Sequence, residues 1–139
     1  MTKFKIAVVG LGWWGKVMVD RLTKSHHVEI RVLVDPFPDT TITNTADTFG
    51  INIVENIETA VTEYDIDGVV LCTPNTLHLS QVEYCVSHQK HVYCEKPLSL
   101  TRSEAVQMVN VCRQADVLLG VGHERRFEPA WSQLKTIVE

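Results

Sequence analysis

Ile6-Ala7-Val8-Val9-Gly10-Leu11-Gly12-Trp13-Trp14-Gly15 sets a short β-branched run directly against a glycine loop. The run reads as a strand, and beyond it Trp14, Met18 and Leu22 recur at i, i+4, i+8, the spacing of a helix face. A strand that turns through Gly-x-Gly-x-x-Gly into a helix cradles a pyrophosphate in dinucleotide-binding folds. Gly10 permits the tight turn, Gly12 lets backbone approach the phosphates, and Gly15 lets helix and strand pack closely. The helix N-terminus adds unpaired N–H groups and a positive dipole end. Trp13 and Trp14 belong to the same candidate cofactor loop. Trp14 also suits core packing through Met18 and Leu22, and Trp13 then points the other way, beside the pyrophosphate, over a substrate pocket or onto bare surface.

The motif makes a second demand about twenty residues on. Asp35 stands there, at the end of the apolar run Val28 to Val34, where a carboxylate can accept hydrogen bonds from an adenosine ribose. No Arg or Lys follows in Pro36-Phe37-Pro38-Asp39 to pair with a 2′-phosphate, and Asp35 would repel one, so NAD is expected rather than NADP. A strand-ending Asp that opens the Asp35-Pro36 turn is compatible with the same residues.

Further along, β-branched runs alternate with helical spacing. Gly68 to Cys72, His91 to Cys94 and Val117 to Val121 read as strands, with another near Ile51 to Val54. Several are apolar almost continuously, as parallel strands covered on both faces must be. Leu79, Val82 and Val86, and then Ala105, Met108, Val109 and Cys112, mark helix faces. Asn56 precedes a short helix from Ile57 to Tyr64, and Ser99 or Thr101 can cap the last helix, with Glu104 completing a capping box on Thr101. The alternation predicts an α/β fold: a doubly wound parallel sheet of the Rossmann type, in three α/β/α layers.

Composition narrows the function. Seventeen acidic against thirteen basic residues in 139 give a net charge of −4, and no basic run exceeds Arg125-Arg126, which argues against a nucleic-acid or anionic-membrane surface. The N-terminal lysines and apolar run imitate a signal peptide only until Gly10, Gly12, Gly15 and Lys16 interrupt it. The longest uncharged stretch, Gly68 to Val82, contains Pro74, Asn75 and His78 and is too short and polar to span a bilayer. Four cysteines without a C-x-x-C pair read as buried thiols of a reducing, cytoplasmic protein. Cys85, His88, His91 and Cys94 recur every third residue, yet His91 and Cys94 point to opposite faces of their strand, so no metal site is assigned.

Thr73-Pro74-Asn75-Thr76-Leu77-His78, Glu95-Lys96-Pro97 and Gly122-His123-Glu124-Arg125-Arg126-Phe127 follow three predicted strands, at the edge where open α/β sheets bind ligands. Each has a plain reading: a turn with Asn75 or Thr76 as helix cap, an exposed loop lysine, a charged junction. Together with the glycine loop and in this order, they resemble the glucose-fructose oxidoreductase, inositol dehydrogenase and rhizopine-catabolism (Gfo/Idh/MocA) family of NAD(P)-dependent enzymes. The resemblance implies that Thr73, Pro74 and Asn75 line the cofactor, with His78 close behind. It also implies that Glu95 reaches the nicotinamide ribose and that Lys96 sits between nicotinamide and the reacting hydroxyl. Oxidising an alcohol requires hydride transfer and proton removal at the same carbon–oxygen pair, and a positioned lysine serves the second.

The family's substrate contacts come largely from a C-terminal domain. Residues 1–122 are therefore expected to form the dinucleotide domain, and 123–139 the start of a junction to a C-terminal domain absent from this chain. The apolar stripe Trp131, Leu134, Ile137 and Val138 then needs a partner surface, with a second copy as one candidate. Two functions follow: the cofactor domain of a dehydrogenase acting on a sugar, polyol or related hydroxyl compound, feeble by itself, or a stand-alone NAD(H)-binding sensor without catalysis. A methyltransferase using the same loop would leave Glu95-Lys96-Pro97 unexplained.

Overall fold

The computed structural model describes residues 2–138 and has six parallel strands: β1 (Phe4–Val9), β2 (Val28–Val34), β3 (Asn52–Val54), β4 (Gly68–Leu71), β5 (His91–Cys94) and β6 (Leu119–Val121). Their order across the sheet is β3-β2-β1-β4-β5-β6. The chain therefore winds outward in one direction from β1, then in the other from β4. The helices are α1 (Trp13–Thr23), α2 (Thr40–Phe49), α3 (Ile57–Glu63), α4 (His78–Ser87), α5 (Arg102–Gln114) and α6 (Pro129–Val138).

Strand side chains alternate between two cores. Ile6 and Val8 of β1 meet Val19 of α1 and Ile42 and Ala46 of α2 on one face. Ala7 and Val9 meet α3, α4 and α5 on the other, through Ala60, Val82, Cys85, Met108 and Cys112. These two cores make the three expected layers. A bulge at Arg31 maintains the alternation: Ile6 pairs with Ile30 but Ala7 with Val32, so Arg31 is the extra residue. It lies exposed against Glu29, while Ile30 and Val32 enter different cores.

Three local expectations need adjustment. The buried line of α1 runs through Gly15 and Val19, not Trp14. Gly15 has no side chain, so the helix approaches the sheet most closely there and Trp14 is turned to the shoulder. In α5, Met108 and Cys112 are buried as expected, but Val109 is exposed and Val111 packs instead. Residues 40–49 carry a helix that apolar spacing does not reveal, because only Ile42 and Ala46 are buried in a threonine-rich segment. Its ends are set chemically: Asp39 accepts the Ile42 N–H at 3.1 Å, and Gly50 closes the helix at φ 65°. The capping box at Thr101 and Glu104 is present. No helix among the described residues is long and apolar enough to cross a membrane.

Candidate functional site

The register puts one row of strand ends in line. Val9 is level with Val34 and Leu71, Leu71 with Cys94, and Cys94 with Val121. The residue after each end is pinned by its amide to a neighbouring strand: Gly10 to the Val34 carbonyl (2.9 Å), Asp35 to Val54 (3.0 Å), Cys72 to Val9 (2.8 Å), Glu95 to Leu71 (3.0 Å) and Gly122 to Cys94 (2.9 Å). Five loops thus leave one rim from fixed points. The order reverses between β1 and β4, so a crevice opens beside the glycine loop.

In that loop, two glycines are required by close backbone approach. Gly10 has φ 85°, and a Cβ there would lie 2.8 Å from the Thr73 nitrogen; a Cβ on Gly15 would lie 1.9 Å from the Gly10 carbonyl oxygen. Gly12 is different, since a Cβ on it would meet nothing within 4 Å. Gly12 caps α1 without a side-chain hydrogen bond, and helical bonding begins only with Lys16 N–H to its carbonyl at 3.1 Å. The amides of Trp13, Trp14 and Gly15 therefore have no helical acceptor. A pyrophosphate fits such an amide-lined, side-chain-free opening.

Asp35 braces the loop. One carboxylate oxygen accepts the Leu11 N–H at 2.7 Å and the other the Phe37 N–H at 2.8 Å. Each oxygen retains a lone pair, so both ribose hydroxyls could still be accepted. Lys16, in the first turn of α1, is paired with Asp39.

Across the crevice, Trp13, Trp14, Thr73, Glu95, Lys96 and Glu124 line one pocket. Trp13 is 77% exposed, whereas the indole nitrogen of Trp14 is buried without a hydrogen-bond partner. Glu95 is buried; its oxygens receive the Tyr93 hydroxyl at 3.4 Å and the Lys96 amide at 3.2 Å. Burial first, then the Glu95 charge, pushes the Tyr93 hydroxyl up to about 12. The Cys72 thiol is likewise pushed up to about 12, mainly by burial with Glu95 second. Both stay protonated and neutral around the carboxylate at ordinary pH. Lys96, preceding Pro97 through a cis peptide bond, keeps its side chain half exposed at the pocket rim.

His78 works from behind the rim. It is 1% exposed, with Nε2 2.9 Å from the Thr73 carbonyl and Nδ1 3.1 Å from the Leu98 carbonyl. It reaches the pocket through Thr73, whose hydroxyl donates to Gln81 at 2.5 Å. Pro74 and Asn75 begin the following turn, and neither Asn75 nor Thr76 caps a helix: the cap positions are Pro74 and Leu77, without side-chain bonds. Cys85 and Cys94 are fully buried in one core, while the His88 ring lies tilted against Tyr84 and His91 stacks on Phe4.

Two residues of the segment after β6, read from the sequence only as a charged junction, belong to this site. A Cβ on Gly122 would lie 2.6 Å from both Glu95 oxygens, so the Glu95 side chain would have to shift to admit one, and Glu124 turns back toward Lys96 at 3.8 Å. The first has a sequence signal, a glycine just past a predicted strand; the second has none. Arg125 lies over the Trp131 ring at 5.3 Å, linking the turn after β6 to α6, which buries no residue.

A family profile described as an oxidoreductase family with an NAD-binding Rossmann fold matches residues 4–123. The chain is 34% identical over 143 residues to inositol 2-dehydrogenase of Mycolicibacterium smegmatis, covering 100% of this chain and 41% of that one. It is 31% identical over 135 residues to the rhizopine catabolism protein MocA of Rhizobium meliloti, covering 97% and 42%. The fold superposes on scyllo-inositol dehydrogenase from Lactobacillus casei, a structure with bound NAD(H) and scyllo-inositol, at a TM-score of 0.89 and 28% identity, covering 99% of this chain and 41% of that one. The chain thus spans about two-fifths of the length of these relatives.

Proposed function

The chain belongs to the GFO_IDH_MocA oxidoreductase family, and from that premise we propose that it is the cofactor domain of an NAD-dependent dehydrogenase acting on a hydroxyl of a sugar, polyol or related compound. The observation that carries this reading is the convergence of the glycine loop, Thr73, Glu95 and Lys96 on one pocket at the aligned strand ends. The bound dinucleotide would supply the hydride acceptor.

The chain's own residues do the rest. Gly10, Gly12 and Gly15 shape the amide-lined turn that holds the pyrophosphate, and Asp35 accepts from the adenosine ribose. Asp35 also favours NAD over NADP, because a 2′-phosphate would face its carboxylate while the nearby Lys16 is already paired with Asp39. Thr73, Pro74 and Asn75 form the wall toward the nicotinamide ribose, held by His78. Glu95 accepts from that ribose, and Trp13 and Trp14 flank the pocket. Lys96 orients the substrate hydroxyl, receives or shares its proton, and stabilises the developing alkoxide. A lysine at this convergence supports hydride transfer over a purely sensory module.

Residues 1–122 are the dinucleotide domain in this reading, and 123–139 lead into a substrate domain, as the greater length of the relatives supports. Their names support a polyol substrate. The apolar stripe of α6 packs on that second domain.

Titrating the chain with NADH while following tryptophan fluorescence tests the assignment. Saturable quenching is expected, weakened about tenfold or more in Asp35→Ala, since each hydrogen bond to a charged group contributes about 1.5–3 kcal/mol. NADPH should bind more weakly than NADH. An absence of saturable quenching by either would overturn the reading.

A further inference from the structure

We propose that Glu124 is the positioning residue for Lys96: its carboxylate holds the lysine ammonium at the mouth of the pocket, facing the place where the substrate hydroxyl would sit. This rests on the reading of Lys96 given above and extends it to a residue of the Gly122–Phe127 segment that the sequence marks only as part of a charged junction.

Two acids flank Lys96 in the pocket lining, Glu95 and Glu124. Glu95 is next in sequence, but its oxygens already receive the Tyr93 hydroxyl and the Lys96 main-chain amide. Among the described residues, Glu124 supplies the one carboxylate within 4.0 Å of the Lys96 ammonium, at 3.8 Å from Oε1. Its other oxygen, Oε2, is buried with no hydrogen-bond partner. A buried carboxylate oxygen without a donor is costly, so Glu124 has an unmet demand for a cation beside it.

The remaining charged groups leave Lys96 as the answer. Arg125 lines the same pocket, yet its guanidinium is drawn over the Trp131 ring. His123 and Arg126 border the adjacent hollow with Lys96 and Glu124, and neither pairs with Glu124 within 4.0 Å. From β5 and the end of β4 the facing groups are Tyr93 and Cys72, both held protonated by burial and by Glu95. At 3.8 Å the pair is an ion pair not yet closed to a hydrogen bond. Its strength grows as water leaves the pocket, because the local dielectric falls. Glu124 therefore holds Lys96 loosely in the open site and more firmly in a filled one.

The test uses the 139-residue chain without dinucleotide. Each lysine is acetylated by an N-hydroxysuccinimide ester at pH 8, and its rate is read by mass spectrometry. A lysine held against a carboxylate presents its amine less freely to the reagent and is acylated more slowly. Glu124→Gln should raise the Lys96 rate about two- to fivefold, the range that a partly exposed ion pair supports, with the other lysines and the melting midpoint unchanged. Glu128→Gln should leave Lys96 at the parental rate. In 1 M NaCl the parent should move toward the Glu124→Gln rate and the variant should not. A Lys96 rate equal in parent and Glu124→Gln, or equally salt-sensitive in both, would overturn the proposal. Loss of NADH binding in the parent would instead strike the cofactor reading, and the two failures are separately visible.

Discussion

The crevice has two sides built of different material. The β1 side is made of backbone: free amides, glycines forced by contacts with other backbone, and one acid that braces the turn. The side formed by β4, β5 and β6 is made of side chains, Thr73, Glu95, Lys96 and Glu124, brought together from residues up to fifty-one positions apart. A phosphate cradle can be specified by sterics alone, since amides point wherever the turn sends them. Proton chemistry needs particular functional groups at particular distances, and only tertiary structure provides those. The first side should therefore fail by unfolding and the second by losing chemistry.

The strongest test of that contrast is Gly15→Ala. The added methyl would sit 1.9 Å from the Gly10 carbonyl oxygen, and backbone on both sides must move. A cost of about 3 kcal/mol or more is expected, read as a fall of roughly 10 °C in Tm; a parental Tm would break the comparison. Gly122→Ala probes the border, because the methyl meets the Glu95 carboxylate at 2.6 Å. That side chain can shift only by giving up bonds to Tyr93 and the Lys96 amide, so about 1–2 kcal/mol is expected, from the urea midpoint at constant m. Lys96→Ala should be the mildest, within about 0.5 kcal/mol of the parent, because the lysine is half exposed with one loose partner. A stability loss as large as that of Gly122→Ala would make Lys96 structural.

What could be read from sequence divides along the same line. The glycine loop, the strand Val28–Val34, Asp35 at its end and the Thr101 capping box are local patterns, set by spacing and by residue type. The helix Thr40–Phe49 was also marked, by Asp39 and Gly50 at its ends, but its two buried residues carry too little periodicity to stand out among threonines. Trp14 is a harder case. Its spacing with Met18 and Leu22 is helical, yet the closest approach to the sheet goes through the residue with no side chain. Glu124 carries no local signal, because its meaning comes from Lys96, twenty-eight residues earlier and adjacent only through the pairing of β5 with β6.

One imidazole lies between two loops of the rim. His78 lies between the carbonyls of Thr73 and Leu98, and so between the loop after β4 and the loop that carries Lys96. A displacement of either loop must compress or stretch the same ring. The ring touches both loops, at 2.9 and 3.1 Å, so a ligand that orders the loop of Thr73 is expected to restrain the loop of Lys96 as well. Such a restraint would lower the entropic cost of a second ordering, through a side chain set behind the pocket rather than in it.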